Sequence, residues 1–278
     1  MRSAVEERWF YPRWKRGVSS DGPDKRPLAE PYTYDQNPEN GPEGWSKLDH
    51  QWKICNHGKL QSPIDLTRGR VSRVHDEAWK IHHKPAETVI MSRGHDIMVS
   101  WKGDAGKMMI DHTEFKLVQC HWHSPSEHTI NRTRYDMELH MVHTSAQSQT
   151  AVIAVLYKLG RPNEFLTTLQ NEIKTVGKEE KKLGIVDPRT IGFHTDKFYR
   201  YVGSLTAPPC TEGVIWTVVK KVNTVSMEQL AALREAVDDA GPAEAQSTSL
   251  LGSVHRCRKN LDCSQWKLDI HVACHTNW

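Results

Sequence analysis

The chain has 278 residues, 37% of them apolar, and a net charge of only +3 from 37 Lys/Arg against 34 Asp/Glu. That size and apolar content suit one large domain with a substantial core. They exclude a transmembrane helix, since no apolar run approaches eighteen residues, and no basic block interleaved with aromatics marks a nucleic-acid surface.

In chain order, residues 1–30 are rich in Arg, Pro and Trp and contain no apolar h-region, so no signal peptide is expected there. Strand patterns follow. Ile97, Val99 and Trp101 alternate with polar partners, and Phe115 and Leu117 lead by the same period into Gln119-Cys120-His121-Trp122-His123. A second such run, Asp136-Met137-Glu138-Leu139-His140, has Met137, Leu139 and Met141 on one face and Glu138 and His140 on the other. Residues 151–157 and 214–219 are apolar on both faces, as in the centre of a sheet covered on both sides. Two helices are expected. Residues 163–176 place Phe165, Leu166, Leu169 and Ile173 on one stripe, and 226–237 open with a Ser-x-x-Gln capping box before Leu230, Leu233 and Val237. Residues 178–182 mix charges and read as a solvated loop or helix face. Strands outnumber helices, and hairpin-length spacings favour antiparallel pairing.

The chemistry concentrates in the two histidine-bearing strands. Alternation points His121 and His123 to one face, and a strand paired alongside brings His140 to the same spot. Three neutral imidazoles without cysteine describe a catalytic Zn2+ site whose fourth position is left to water. Neutral ligands leave the whole dication charge to act on that water. Gln119 and Glu138 each lie two residues before a histidine and share its face, placed to accept the ring N–H the metal does not use. The competing account, two ordinary half-exposed strands, does not explain the registered His-x-His and Glu-x-His.

Gln-Cys-His-Trp-His-Ser-Pro-Ser-Glu-His-Thr (119–129) and Met-Glu-Leu-His-Met-Val-His (137–143) resemble the α-class carbonic anhydrases, the plant members especially. So do Gly-Ser-Leu-Thr-Ala-Pro-Pro-Cys-Thr-Glu-Gly (203–213) with Trp216, Gln-Ser-Pro-Ile-Asp-Leu (61–66) and Asn-Gly-Pro-Glu-Gly-Trp (40–45). The matches keep the family's order from Tyr34 to Val237. The resemblance implies a mainly β (α+β) fold: a large twisted, mostly antiparallel sheet with short peripheral helices. It implies reversible hydration of carbon dioxide to bicarbonate and a proton by zinc-bound hydroxide, with side esterase activity. It also implies roles. Thr206 accepts the hydroxide's hydrogen bond while donating to Glu127. Val142, Val152, Leu205, Val214 and Trp216 form the substrate's apolar pocket, although unaided they read as core. His95 is the proton shuttle, its imidazole exposed to the nearby cation Arg93; Tyr34 orders water; His128 and His143 are buried structural histidines. Cys55 and Cys210 match the disulfide of secreted members, while Cys120 alternates away from the metal face.

The resemblance implies a secretory, extracellular or chloroplast location, and the sequon Asn131-Arg-Thr133 suits secretion. The expected organisation is an N-terminal extension over 1–30, a catalytic domain over 31–250 and an atypical tail over 251–278. The tail shows no periodicity, and its Cys257, Cys263, Cys274, His255, His271 and His275 match no common zinc-finger spacing. The rival reading from another class is a non-catalytic relative, such as the yam-tuber storage proteins that share this fold.

Overall fold

A computed structural model describes residues 32–34, 39–67, 71–74, 79–195, 197–237 and 270–274. Among these, thirteen strands form one mixed sheet and three short ones a second. The centre of the large sheet holds β1 (Ile97–Trp101), β2 (Thr113–His123), β3 (Met137–Ser145), β4 (Thr150–Leu159), β5 (Lys197–Ser204) and β6 (Glu212–Val219). Their spatial order is β1-β2-β3-β4-β6-β5. All neighbouring pairs among them are antiparallel except β4 with β6, which run parallel.

Period-two alternation divides β4 and β6 between two cores. Ile153, Val155 and Tyr157 join Val219 on one face, while Val152, Ala154 and Leu156 join Val214, Trp216 and Val218 on the other. Two helices, α1 (Glu164–Ile173) and α2 (Met227–Glu235), cover the first face with Phe165, Leu169, Leu230 and Leu233. Asn163 caps α1 by accepting from Leu166 N, and the expected Ser226–Gln229 capping box opens α2. The Gln229 side chain also accepts from Asn163 N and donates to Asn163 O, both at 2.8 Å, so one residue ties the two helix starts together. The second face carries the site.

Two expectations change. Lys181 and Lys182 open an edge strand, Lys181–Val186, paired antiparallel with Ala86–Ser92. Exposed lysines on an edge strand resist further pairing, and the same charges read in isolation as a solvated loop. In the tail, Ile270–Cys274 forms a strand, antiparallel to Lys197–Arg200 and parallel to Val71–Val74. An open sheet edge is a template that five residues can follow without a periodic signal of their own. The extension over 1–30 and the remaining tail cysteines and histidines lie outside the described residues.

One buried pair predicts acid sensitivity. His143 Nδ1 donates to Met141 O at 3.0 Å, so its Nε2 accepts from His83 Nε2 at 3.0 Å. Burial pushes His83 down to about 4, opposed by Asp187 and reinforced by His82. The unfolded chain, with His83 near its ordinary 6.5, therefore binds a proton before the folded one does. This contribution is intact above pH 6.5 and lost as pH falls towards 4, up to about 3 kcal/mol. Urea midpoints between pH 7 and 4.5 should fall less steeply in His83→Gln than in the parent. Parallel profiles would remove His83 from the account.

Candidate metal centre

β2 and β3 pair so that His140 stands opposite His121, and Glu138 opposite His123. With side chains alternating, the three histidines emerge on the α-helix-free face, and one ligand atom from each lies within 4.8 Å of the others. His140 is fully buried and its two partners only slightly exposed, as at the floor of a cleft. Behind them, Trp122 stacks on Phe165 of α1 at 6.0 Å, which fixes β2 from its dry side.

For two of the three, the outer nitrogen is assigned by its neighbour. His121 Nδ1 donates to Gln119 Oε1 at 2.8 Å, leaving Nε2 for a metal. His140 Nε2 donates to Glu138 Oε1 at 2.8 Å, leaving Nδ1. His123 Nε2 is buried without a hydrogen-bond partner among the described residues. Burial holds all three imidazoles below their ordinary range; Arg93 and the other histidines add to it for His121 and His123, while Glu138 opposes it for His123 and His140. Three neutral lone pairs converging on one point, one of them orphaned, fit Zn2+ by number and type.

A layer behind the ligands was not assembled from sequence. Glu138 Oε1 also accepts from His128 Nδ1 at 2.6 Å, and Glu138 Oε2 from His128 N at 2.8 Å. Burial would raise this carboxyl, but His128 and His140 outweigh it and keep it well below the usual carboxylate range. His128 Nε2 meets Tyr201 Oη at 2.6 Å, Tyr201 Oη meets Ser62 Oγ at 2.8 Å, and Ser62 Oγ accepts from Ser204 N at 3.1 Å. A continuous chain of hydrogen bonds thus runs from His140 to the loop that carries Thr206. Only the Gln-Ser-Pro motif hinted at Ser62, and nothing in the sequence linked it to Tyr201.

Thr206 lies half-buried in that loop, its hydroxyl hydrogen-bonded to Glu127. Glu127 is pushed well above its ordinary value by burial and by Glu138, with the Thr206 bond opposing. A dication at the histidines would bias it the other way. Its Oε2 has no hydrogen-bond partner among the described residues and lies 3.6 Å from His123 Nε2. Beside the histidines, Val142, Val152, Val214 and Trp216 form one buried cluster with Leu205 packed against it. Trp216 stands edge-on to His140, ring centres 4.8 Å apart, and donates to Ser204 O at 2.9 Å. The cluster gathers all five expected pocket residues.

His95 and Tyr34 sit across the cleft. The Tyr34 ring is 6.4 Å from His123 and 5.9 Å from His95, and its buried hydroxyl lacks a partner among the described residues. Arg93 is engaged by Asp96 through a two-point ion pair, with Nε donating to Oδ1 at 2.6 Å. The cation is paired there, yet it still helps to lower the imidazoles of His121 and His123. Asn131 occupies the exposed turn between Thr129–Ile130 and Thr133–Arg134, with φ of 50° there and 64° at Arg132, a left-handed conformation that asparagine favours.

Cys55 and Cys210 are bonded, 155 residues apart. The bridge fastens the Thr206 loop, which Leu205 N closes on Thr211 O at 3.0 Å and Gln61 Nε2 holds at Cys210 O at 3.2 Å. Closing that length of chain stabilises by up to roughly 5 kcal/mol, so reduction should lower the melting temperature by roughly 10 °C. A Cys55→Ser/Cys210→Ser double variant should melt like the reduced protein. Nonreducing peptide maps showing Cys210 free or paired elsewhere would refute the bridge.

Comparison with known proteins gives the same answer from another direction. A family profile described as eukaryotic-type carbonic anhydrase matches residues 40–263. Alpha carbonic anhydrase 4 of Arabidopsis thaliana is 71% identical over 209 residues, covering 75% of this chain and 78% of its own. Dioscorin DB3L of Dioscorea polystachya is 42% identical over 77% of this chain and 80% of its own. Among solved structures, dioscorin complexed with ascorbate superposes with a TM-score of 0.74 at 39% identity, covering 76% of this chain and 90% of that one. A hyperthermostable carbonic anhydrase from a hydrothermal vent chimney gives 0.70 at 30% identity, over 87% and 99%. The fold, the histidine cluster and these likenesses agree: the chain belongs to the α-carbonic anhydrase family.

Proposed function

We infer that this chain is a zinc-dependent carbonic anhydrase that interconverts carbon dioxide and bicarbonate, with His121, His123 and His140 as the metal ligands. The observation that carries the reading is the convergence of three neutral imidazoles, two of them held by Gln119 and Glu138 through their outer nitrogens, beside an apolar wall. In carbonic anhydrases, the type case for this chemistry, zinc supplies a water with a pKa of about 7 and hence a nucleophile at neutral pH.

The chain's own residues do the rest. Gln119 and Glu138 fix the tautomers of His121 and His140, so that each presents a lone pair and not a proton. Thr206 donates to Glu127, so its oxygen can only accept from the nucleophile, which aims the remaining lone pair at the substrate carbon. Val142, Val152, Leu205, Val214 and Trp216 hold a neutral gas that offers nothing to hydrogen-bond strongly. His95 takes the released proton and passes it to buffer, as an imidazole can. Tyr34, kept protonated by burial, gives its unmatched hydroxyl to a water between the two. We place the chemistry in residues 31–250. The Cys55–Cys210 bond and the exposed Asn131 sequon fit an oxidising compartment, with Asn131 as a glycosylation site.

Stopped-flow hydration by the purified, zinc-loaded protein tests this reading against the storage-protein alternative. A rate well above the buffer rate is expected, and a rate equal to buffer would favour storage.

A further inference from the structure

The proton relay has a partner that no motif announced. Tyr32 Oη lies 2.8 Å from His95 Nε2 and 3.4 Å from Nδ1, so the hydrogen bond is to Nε2. The two rings are also packed, centroids 5.0 Å apart. Tyr32 is itself held: its ring stands edge-on against Trp45 at 5.4 Å and Trp52 at 5.8 Å. The Trp45 indole donates to both Thr33 O and Asn40 O at 3.1 Å, pinning the backbone beside Tyr32. The same aromatic group packs on the Cys55–Cys210 bond. The hydroxyl therefore sits on a rigid platform, whereas His95 lies in a turn with its side chain 18% exposed.

A carboxylate oxygen also stands near the same nitrogen, Asp96 Oδ2 at 3.8 Å from His95 Nε2, beyond hydrogen-bond reach but close enough to favour a proton there. With a tyrosine oxygen and a carboxylate oxygen around Nε2, the ring proton is favoured there and the lone pair falls to Nδ1. We propose that Tyr32 is a positioning residue for proton transfer: its oxygen accepts from Nε2–H, which fixes the ring and leaves Nδ1 as the nitrogen that takes up and returns the relayed proton. The inference rests on the relay role given to His95 above. In each turnover Nδ1 gains one proton from the water chain and loses it to buffer. Nε2 keeps its proton throughout, and Tyr32 neither gains nor loses one. Without the hydroxyl, the imidazole samples other orientations and both tautomers, and transfer waits on the competent one.

Tyr32→Phe keeps the ring between Trp45 and Trp52 and removes only the oxygen. In the zinc-loaded full chain in dilute buffer, kcat should fall about three- to tenfold, the loss expected of one hydrogen bond. The kcat/KM for carbon dioxide should not change, and added imidazole should restore kcat. Nitrogen-15 NMR of histidine-labelled protein gives an independent reading. Wild type should show His95 as the Nε2–H tautomer, and the variant a mixture. An Nδ1–H tautomer in wild type overturns the proposal whether or not the variant folds. So does an unchanged kcat, a raised kcat, or a parallel fall of kcat and kcat/KM. His95→Ala in the same assay separates the levels. If it slows kcat and Tyr32→Phe does not, the positioning role alone fails; if it leaves kcat unchanged, the relay reading fails and takes the inference with it.

Discussion

His140→Ala should leave a protein that binds no zinc tightly and hydrates carbon dioxide no faster than buffer does. Two histidines seldom hold a catalytic zinc. His140 stands opposite His121 in the strand pairing, and it links the metal site to Glu138, His128, Tyr201 and Ser62. Losing it also strips one donor from a fully buried carboxylate, which costs about 1–3 kcal/mol of stability. Metal analysis of the purified variant is the check. One zinc per chain in His140→Ala would remove these histidines from the metal assignment.

Thr206→Val should keep the zinc and lose most of the rate. Valine matches threonine in shape but neither donates to Glu127 nor accepts from the nucleophile. Misorientation of a reacting atom costs about 100-fold, and that is the expected fall in kcat/KM. Zinc content and melting temperature should change little, because the loop is held independently by Cys55–Cys210, Gln61 and the Leu205–Thr211 bond. A variant as fast as the parent would return Thr206 to a purely structural part.

Much of this arrangement is legible in the sequence, for definite physical reasons. Strand alternation has a fixed period, so His121 with His123, and Gln119 and Glu138 with their histidines, follow once two strands are recognised. Capping chemistry is local too, and it places the starts of both helices at Asn163 and Ser226. Contacts between residues far apart in the chain are a different matter. Tyr201 meets His128 across 73 positions, Ser62 meets Tyr201 across 139, and Tyr32 meets His95 across 63. No periodicity encodes such pairs; they exist only once the sheet has brought its strands together. The same holds for Ile270–Cys274, whose pairing depends on an edge presented by Lys197–Arg200. Arg93 belongs here too: its charge is plain in the sequence, but its two-point ion pair with Asp96 is not.

The most direct test is a zinc titration of the metal-depleted chain followed by its rate of carbon dioxide hydration. The rate should rise linearly from the buffer value and level off at one equivalent of zinc per chain. A rate independent of zinc, or saturation only at two equivalents, would contradict a single three-histidine centre as the seat of the activity.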